Sequence, residues 1–253
     1  MLIDHTGAIF YPEHFHFSFR VIGRLAYPIF VYLVAEGFRY TKSPEKFLLR
    51  LFIFALISEP SFDWALNRTY AFDSELNIIY TTWAVDFLNN TNIFYTLFLG
   101  GAAITIFKRL TKTHTDEKPS INPLSMGAFA VLSCAGFMLL AHWLSADYGG
   151  AGVLFIFCMY ALANTRNDMK IPRLAVMALF SLWQFNWMFL RLFDGRAYQV
   201  PLIQWLMIPA ALLTIPLISI YNGQRGPSLK WFFYAAYPIH LAILAMAAHI
   251  ILL

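Results

Sequence analysis

Stretches of about 18–22 apolar residues recur along this chain, each the length needed to cross a hydrocarbon layer ~30 Å thick. That layer holds no water to bond exposed backbone groups, so a crossing segment has to satisfy its own N–H and C=O groups, most simply as a helix. The pattern predicts an all-α, polytopic transmembrane helical bundle. Nine segments can be read, at roughly 1–10, 19–38, 47–66, 92–107, 124–145, 151–164, 174–193, 201–221 and 231–253. The first has only half the required length and reads as short or truncated. Ile78–Trp83 is mildly apolar and reads as an interfacial piece. Without an internal repeat, linker or low-complexity run, residues 1–253 are taken as a single integral membrane domain.

Charge is scarce and unevenly placed. Only 13% of residues are charged while 59% are apolar, where a soluble domain carries about 25% charged residues. Thirteen of the 18 basic residues fall at one set of alternate loops: Arg39, Lys42, Lys46, Arg50, Lys108, Arg109, Lys112, Lys118, Arg166, Lys170, Arg173, Arg225 and Lys230. The other loops hold Arg68, Arg191 and Arg196, with Glu13, Asp73, Glu75, Asp86, Asp147 and Asp194. Because basic loops stay in the cytoplasm, the N-terminus is expected inside and the C-terminus outside, in a bacterial inner (cytoplasmic) membrane. The net charge of +4 then sets orientation and gives no reason to expect nucleic acid as a partner. The lipid bilayer is the partner the composition implies. Cys134 and Cys158 lie in apolar stretches, which disfavours a disulfide or a metal site, and no cleavable signal peptide is expected.

Ionisable groups within the spans are costly and mark functional candidates. Asp4 and His5 fall in the first half-span, and Arg20 and Arg24 in the second segment, four apart and so on one helix face. Glu59 and Asp63 repeat that spacing in the third. All six are expected in the outer half of the membrane. One reading is an ion-pair network in which Arg20 and Arg24 neutralise Glu59 and Asp63. The other is a catalytic site, since histidine both takes and gives a proton near neutral pH. Asp4 is about 100° from His5 around the helix and better placed to pair with an arginine than to orient the imidazole.

Further candidates lie elsewhere. Glu36, Arg39 and Arg50 close and open spans at the cytoplasmic side, as interfacial anchors or as a basic mouth for an anionic ligand. Arg225 and Lys230 border the loop Asn222-Gly223-Gln224-Arg225-Gly226, whose glycines would let amides approach a phosphate. Tyr237 and His240 flank Pro238, which removes a backbone donor; they either face a central cavity or form a buried hydrogen-bonded pair. Asp147-Tyr148-Gly149-Gly150 reads as a tight external turn whose glycines serve the backbone, with Asp147 a candidate substrate contact. H-E-x-x-H and G-x-S-x-G motifs are absent from the sequence, which takes support from proteolysis and lipase chemistry.

The runs Leu2-Ile-Asp-His-Thr-Gly-Ala8, Arg20-Val-Ile-Gly-Arg-Leu-Ala-Tyr-Pro-Ile-Phe30 and Glu36-Gly37 resemble the TraX family. So do Leu49-Arg-Leu-Phe-Ile-Phe-Ala-Leu-Ile-Ser-Glu59 with Phe62-Asp63, Asn92-Ile-Phe-Tyr-Thr-Leu-Phe-Leu-Gly100, Asp147-Tyr-Gly-Gly-Ala-Gly152 and Tyr237-Pro-Ile-His240. The resemblance implies a membrane-embedded acyltransferase, related to enzymes that draw acyl-CoA from the cytoplasm and, in this family, to N-terminal acetylation of pilin. It implies acetyl-CoA as acyl donor, no metal, and an extracytoplasmic acceptor such as a pilin or fimbrial subunit N-terminus or a surface glycan. His5 matches the catalytic histidine of the wider group, and Arg20 and Arg24 match the arginines of its second helix. Asp4, Glu59 and Asp63 join them as catalytic-site candidates. Arg39, Arg50, Arg225 and Lys230 are the expected CoA contacts, and Glu36, Tyr237, His240 and Asp147 the expected substrate contacts. The rival classes are a non-catalytic pilus or fimbrial assembly protein and a proton-coupled transporter.

Overall fold

The computed structural model describes residues 1–253 except 11–15, 68, 73–77, 83, 112–121, 164–169, 184, 186–189, 191–192, 194–201, 223, 225–226, 228 and 253. At 16–17, 69–72, 78–82, 123, 170, 202–203 and 252 it describes the backbone alone. Arg225, Lys112, Lys118, Arg166, Glu13, Arg68, Asp73, Glu75, Arg191, Asp194 and Arg196 therefore lie outside the described residues, as do His14 and His114. Twelve helices are present among those described: α1 (Leu2–Phe10), α2 (His16–Gly23), α3 (Ala26–Tyr40), α4 (Pro44–Leu66), α5 (Ile93–Thr111), α6 (Pro123–Trp143), α7 (Gly149–Ala163), α8 (Lys170–Trp183), α9 (Leu202–Trp205), α10 (Met207–Leu212), α11 (Thr214–Ser219) and α12 (Lys230–Leu252).

The all-α expectation needs one amendment. Thr69–Phe72 and Ile78–Thr82 pair as an antiparallel hairpin, β1–β2, so the piece read as interfacial is a strand. Its Ile-Ile-Tyr-Thr-Thr sequence is rich in the β-branched and aromatic residues that favour extended backbone.

Among the described residues, four segments are long and apolar enough to cross a membrane: Ser18–Tyr40, Ile93–Thr111, Leu124–Trp143 and Lys230–Ile251. Helix α4 has 23 residues but carries Arg50, Glu59 and Asp63 along its length. Shorter apolar helices span Gly149–Ala163, Ile171–Trp183 and Met207–Ser219. The chain is a membrane protein, and its helices wear apolar side chains outward, as at Leu139 and Ile250, where lipid replaces water.

Prolines explain the interruptions. Pro28 has no N–H to give the Arg24 carbonyl, and the chain turns at Arg24 and Leu25 between α2 and α3. Pro209 and Pro216 act in the same way, and the segment 202–219 divides into the short helices α9, α10 and α11. At helix starts proline is welcome instead, because the first N–H groups have no intrahelical partner. Pro44 opens α4 and Pro123 opens α6, where Asn122 accepts from the Leu124 N–H at 3.0 Å.

The described chain forms two compact units. The first comprises Met1–Phe30, Ile57–Asp86 and Lys170–Leu253, and the second Val31–Leu56 and Phe87–Met169. In the second, α5, α6 and α7 pack against one another. Gly100 lies on Ile156 and Gly101 on Phe38, so close that an added Cβ would come within 2.6 and 2.5 Å. Small residues of this kind let helix backbones approach where no hydrophobic force drives association.

The two ends of this unit are tied differently. At one, Arg109 contacts Glu45 at 3.2 Å and Lys108 donates to the Phe38 carbonyl at 3.3 Å, so two loops expected on the same membrane side do meet. At the other, Asn92 caps α5 by accepting from the Phe94 N–H at 2.9 Å and donates to the Ala55 carbonyl at 2.8 Å. The Asp147 N–H donates to the Thr91 carbonyl, and the Thr96 hydroxyl donates to the Asp147 carbonyl at 2.5 Å.

Candidate functional site

The first unit holds the polar cluster. Helix α1 packs on α2 and α12, which brings together Asp4 and His5 from α1, Arg20 from α2 and Arg24 just past its end, and Tyr237 and His240 from α12. Arg20 donates to Asp4 Oδ2 at 3.0 Å, and Arg24 reaches Asp4 Oδ1 at 3.7 Å while its Nε donates to the Arg20 carbonyl. One carboxylate thus serves two guanidiniums, as the position of Asp4 on the helix implied.

Gly23 makes this seat. A Cβ there would lie 2.3 Å from Asp4 Oδ1, 2.4 Å from its Cγ and 2.5 Å from its Cβ. Only a bare Cα lets the Asp4 side chain in. The sequence reading quoted Gly23 within a motif and gave it no role; its signal was its position between the two arginines.

His5 is buried. Its Nδ1 lies 2.7 Å from His240 Nε2, and His240 Nδ1 lies 2.7 Å from the Ala236 carbonyl one turn back on α12. Tyr237 presents its ring to both histidines at a steep angle, with centroids 6.1 and 5.5 Å away. Of the two roles left open for His240, a hydrogen-bonded partner is the one the geometry fits; the ring is half-buried, and its partner is His5 instead of Tyr237.

Asp63 departs from the expected network. Its carboxylate accepts from the Asn67 amide at 2.8 Å and from the Asp86 N–H at 2.8 Å, so it anchors the chain beyond α4 and does not neutralise Arg20 or Arg24. The reason is local: Asn67 is one turn away on the same face, and Asp4 already occupies both arginines. Glu59 is fully buried one turn earlier on α4.

The remaining candidates are placed elsewhere. Lys230, exposed at the start of α12, lies 5.8 Å from the Trp231 ring. In the second unit Arg39 is 3.9 Å from Glu36 and over the Tyr40 ring, and Arg50 lies over the Phe47 ring with a buried Nε that has no hydrogen-bond partner among the described residues. Asp147 is exposed, and its backbone N–H and carbonyl bond Thr91 and Thr96. The turn around it matches the sequence reading: Gly149 has φ +50°, and a Cβ on Gly150 would come within 2.9 Å of the Met138 carbonyl. Tyr148 shares the left-handed conformation at φ 67°, which is strained for a bulky side chain.

Apolar helices around a buried histidine, two arginines and a shared carboxylate define a helical membrane protein with a polar site held among apolar helices. The chain belongs to the TraX protein family, which it matches over residues 1–248. It is similar to the probable fimbrial assembly protein FimC, serogroup H1, of Dichelobacter nodosus, at 26% identity over 254 residues covering 98% of this chain and 90% of that protein. It is also similar to an uncharacterised protein of Rickettsia prowazekii (strain Madrid E), at 22% identity over 232 residues covering 91% of this chain and 79% of that one. No solved structure matches it.

Proposed function

We propose that the protein is a membrane-embedded acyltransferase that moves an acetyl group from cytoplasmic acetyl-CoA to an extracytoplasmic acceptor, a pilin or fimbrial subunit N-terminus or a surface glycan. The observation that carries this reading is a buried imidazole whose sequence neighbour, Asp4, holds two guanidiniums in the same unit. His5 takes the proton of an acceptor amine or hydroxyl as it attacks the thioester. Arg20 and Arg24 supply positive charge for the oxygen that becomes negative, a contribution that gains strength where water is excluded. Asp4 keeps the two like charges together on adjacent turns.

Acetyl-CoA is the donor substrate and brings a thioester-activated acyl group. Arg39 and Arg50 in the second unit and Lys230 in the first are the cationic candidates for its phosphates, each on its sequence position alone; Arg225 lies outside the described residues. The inner membrane, with the N-terminus inside and the C-terminus outside, completes the proposal on the distribution of basic loops.

The printed name of the Dichelobacter relative, a fimbrial assembly protein, favours pilin over glycan and also supports a second reading, assembly without catalysis. Purified protein in vesicles, given labelled acetyl-CoA and a pilin or membrane extract, is expected to label one acceptor. His5→Ala abolishes transfer while the protein remains inserted; full transfer by that variant refutes the enzyme. Pilus defects that survive every His5 substitution, without label on any acceptor, point to assembly alone. Uptake driven by a pH gradient in liposomes points to a carrier.

A further inference from the structure

We infer that His240 is the positioning residue of His5: through the Ala236 carbonyl it fixes the His5 tautomer, leaving the lone pair on His5 Nε2. This rests on the reading of His5 as the general base.

A backbone carbonyl only accepts, so the His240 nitrogen 2.7 Å from Ala236 O, Nδ1, carries the proton. A neutral imidazole has one N–H, and His240 Nε2 is therefore an acceptor. The nitrogen facing it at 2.7 Å, His5 Nδ1, must be the donor. His5 is left with a bare Nε2, which has no hydrogen-bond partner among the described residues.

Ring geometry agrees. The two imidazoles are parallel to within 2°, and their centroids are 5.0 Å apart while the facing nitrogens are 2.7 Å apart. The centroid separation equals the nitrogen gap plus the centre-to-nitrogen radius of each ring, which parallel rings reach only when they meet edge to edge in a common plane. That is where a ring N–H points and where a ring lone pair lies.

Asp4 does not perform this task. Its carboxylate is committed to Arg20 and Arg24, although it is the carboxylate next to His5 in sequence. A neutral histidine thus stands where many general-base histidines have an acid. Such a second group sets which nitrogen is free and steadies the ring. During transfer the acceptor's N–H or O–H proton goes to His5 Nε2, the acceptor atom bonds the acyl carbon, the carbon–sulfur bond breaks, and the proton leaves with the thiolate. The Nδ1 proton stays on His5 and bonds His240 more strongly while the ring is cationic, so no proton passes to His240.

Two substitutions separate positioning from bulk. His240→Leu removes the acceptor and is expected to lower kcat about 10²–10³-fold, within the range that proton transfer contributes, with KM for acetyl-CoA unchanged within about twofold. His240→Gln offers an amide oxygen to His5 Nδ1 and is expected to recover kcat to within about tenfold of wild type. Nitrogen-15 spectra of histidine-labelled wild-type protein should show His5 Nε2 unprotonated and Nδ1 protonated. Wild-type kcat in His240→Leu, or a proton on His5 Nε2 in the wild-type spectrum, overturns the inference. If His240→Leu does not insert, the glutamine variant and the wild-type spectrum decide. If wild-type protein transfers no acetyl group, the enzyme reading fails by itself, and the spectrum still tests the tautomer.

Discussion

Replacing Gly23 with alanine adds one methyl group at the point where α1 and α2 touch. Its nearest neighbours would be three atoms of Asp4 at 2.3–2.5 Å, well inside van der Waals contact. Rotating the carboxylate does not relieve this, since Asp4 Cβ is itself among the three and is fixed to the α1 backbone. The helix has to shift, and the Asp4 contacts with Arg20 at 3.0 Å and Arg24 at 3.7 Å shift with it. Overpacking of this kind costs about 1–3 kcal/mol, and the better helix propensity of alanine returns no more than about 1 kcal/mol. Weakened pairing of Asp4 with Arg20 and Arg24 adds to that loss. The net expectation is a loss of up to about 3 kcal/mol, or up to roughly 12 °C in Tm for a chain of this size. The control is Gly136→Ala in α6, where an added Cβ meets nothing within 4 Å; it should leave Tm unchanged or raise it. Thermal unfolding in one detergent compares the two. Equal behaviour of both variants would refute the seating of Asp4 on Gly23.

Asn92→Ala removes the cap of α5 and the side-chain hydrogen bond to the Ala55 carbonyl of α4, for a loss of about 1–3 kcal/mol in chemical or thermal unfolding; Asn92→Asp should recover only the share due to the cap. Glu45 has its carboxyl held below its usual 4.5 chiefly by its own backbone N–H and then by Arg109. A depressed folded value means that its contribution is present above pH 4.5 and is lost as the pH falls through the lower folded value. A carboxyl titration by NMR should find the midpoint below 4.5, and Arg109→Gln should raise it without restoring 4.5, because the backbone contact survives.

Sequence was a good guide where one segment settles the matter. Apolar length announced Ile93–Thr111, Leu124–Trp143 and Lys230–Ile251 as spans. The glycines after Asp147 announced a turn, and the 100° offset of Asp4 from His5 announced a partner other than the imidazole. Sequence misled where a choice among distant partners decides. Glu59 and Asp63 have the right spacing to meet Arg20 and Arg24, yet Asp63 is taken by Asn67 and the Asp86 N–H, and nothing in periodicity ranks those donors against an arginine. His240 lies 235 positions from His5, so only the packing of α12 on α1 could join them. Prolines were read as punctuation at Pro238, and their larger effect falls at Pro28, Pro209 and Pro216, where several breaks divide stretches that hydropathy draws as continuous.

The glycine pair of α5 ties the fate of separate sequence positions. The Ile156 side chain rests directly on Gly100 and the Phe38 ring directly on Gly101, so the spacing at each contact is set by bare main chain on one side and a single side chain on the other. A lineage that enlarges residue 100 has to trim residue 156 in the same step, and likewise for 101 and 38. Such positions drift as couples, and a graft of α5 into a related chain succeeds only when it carries its opposite numbers along.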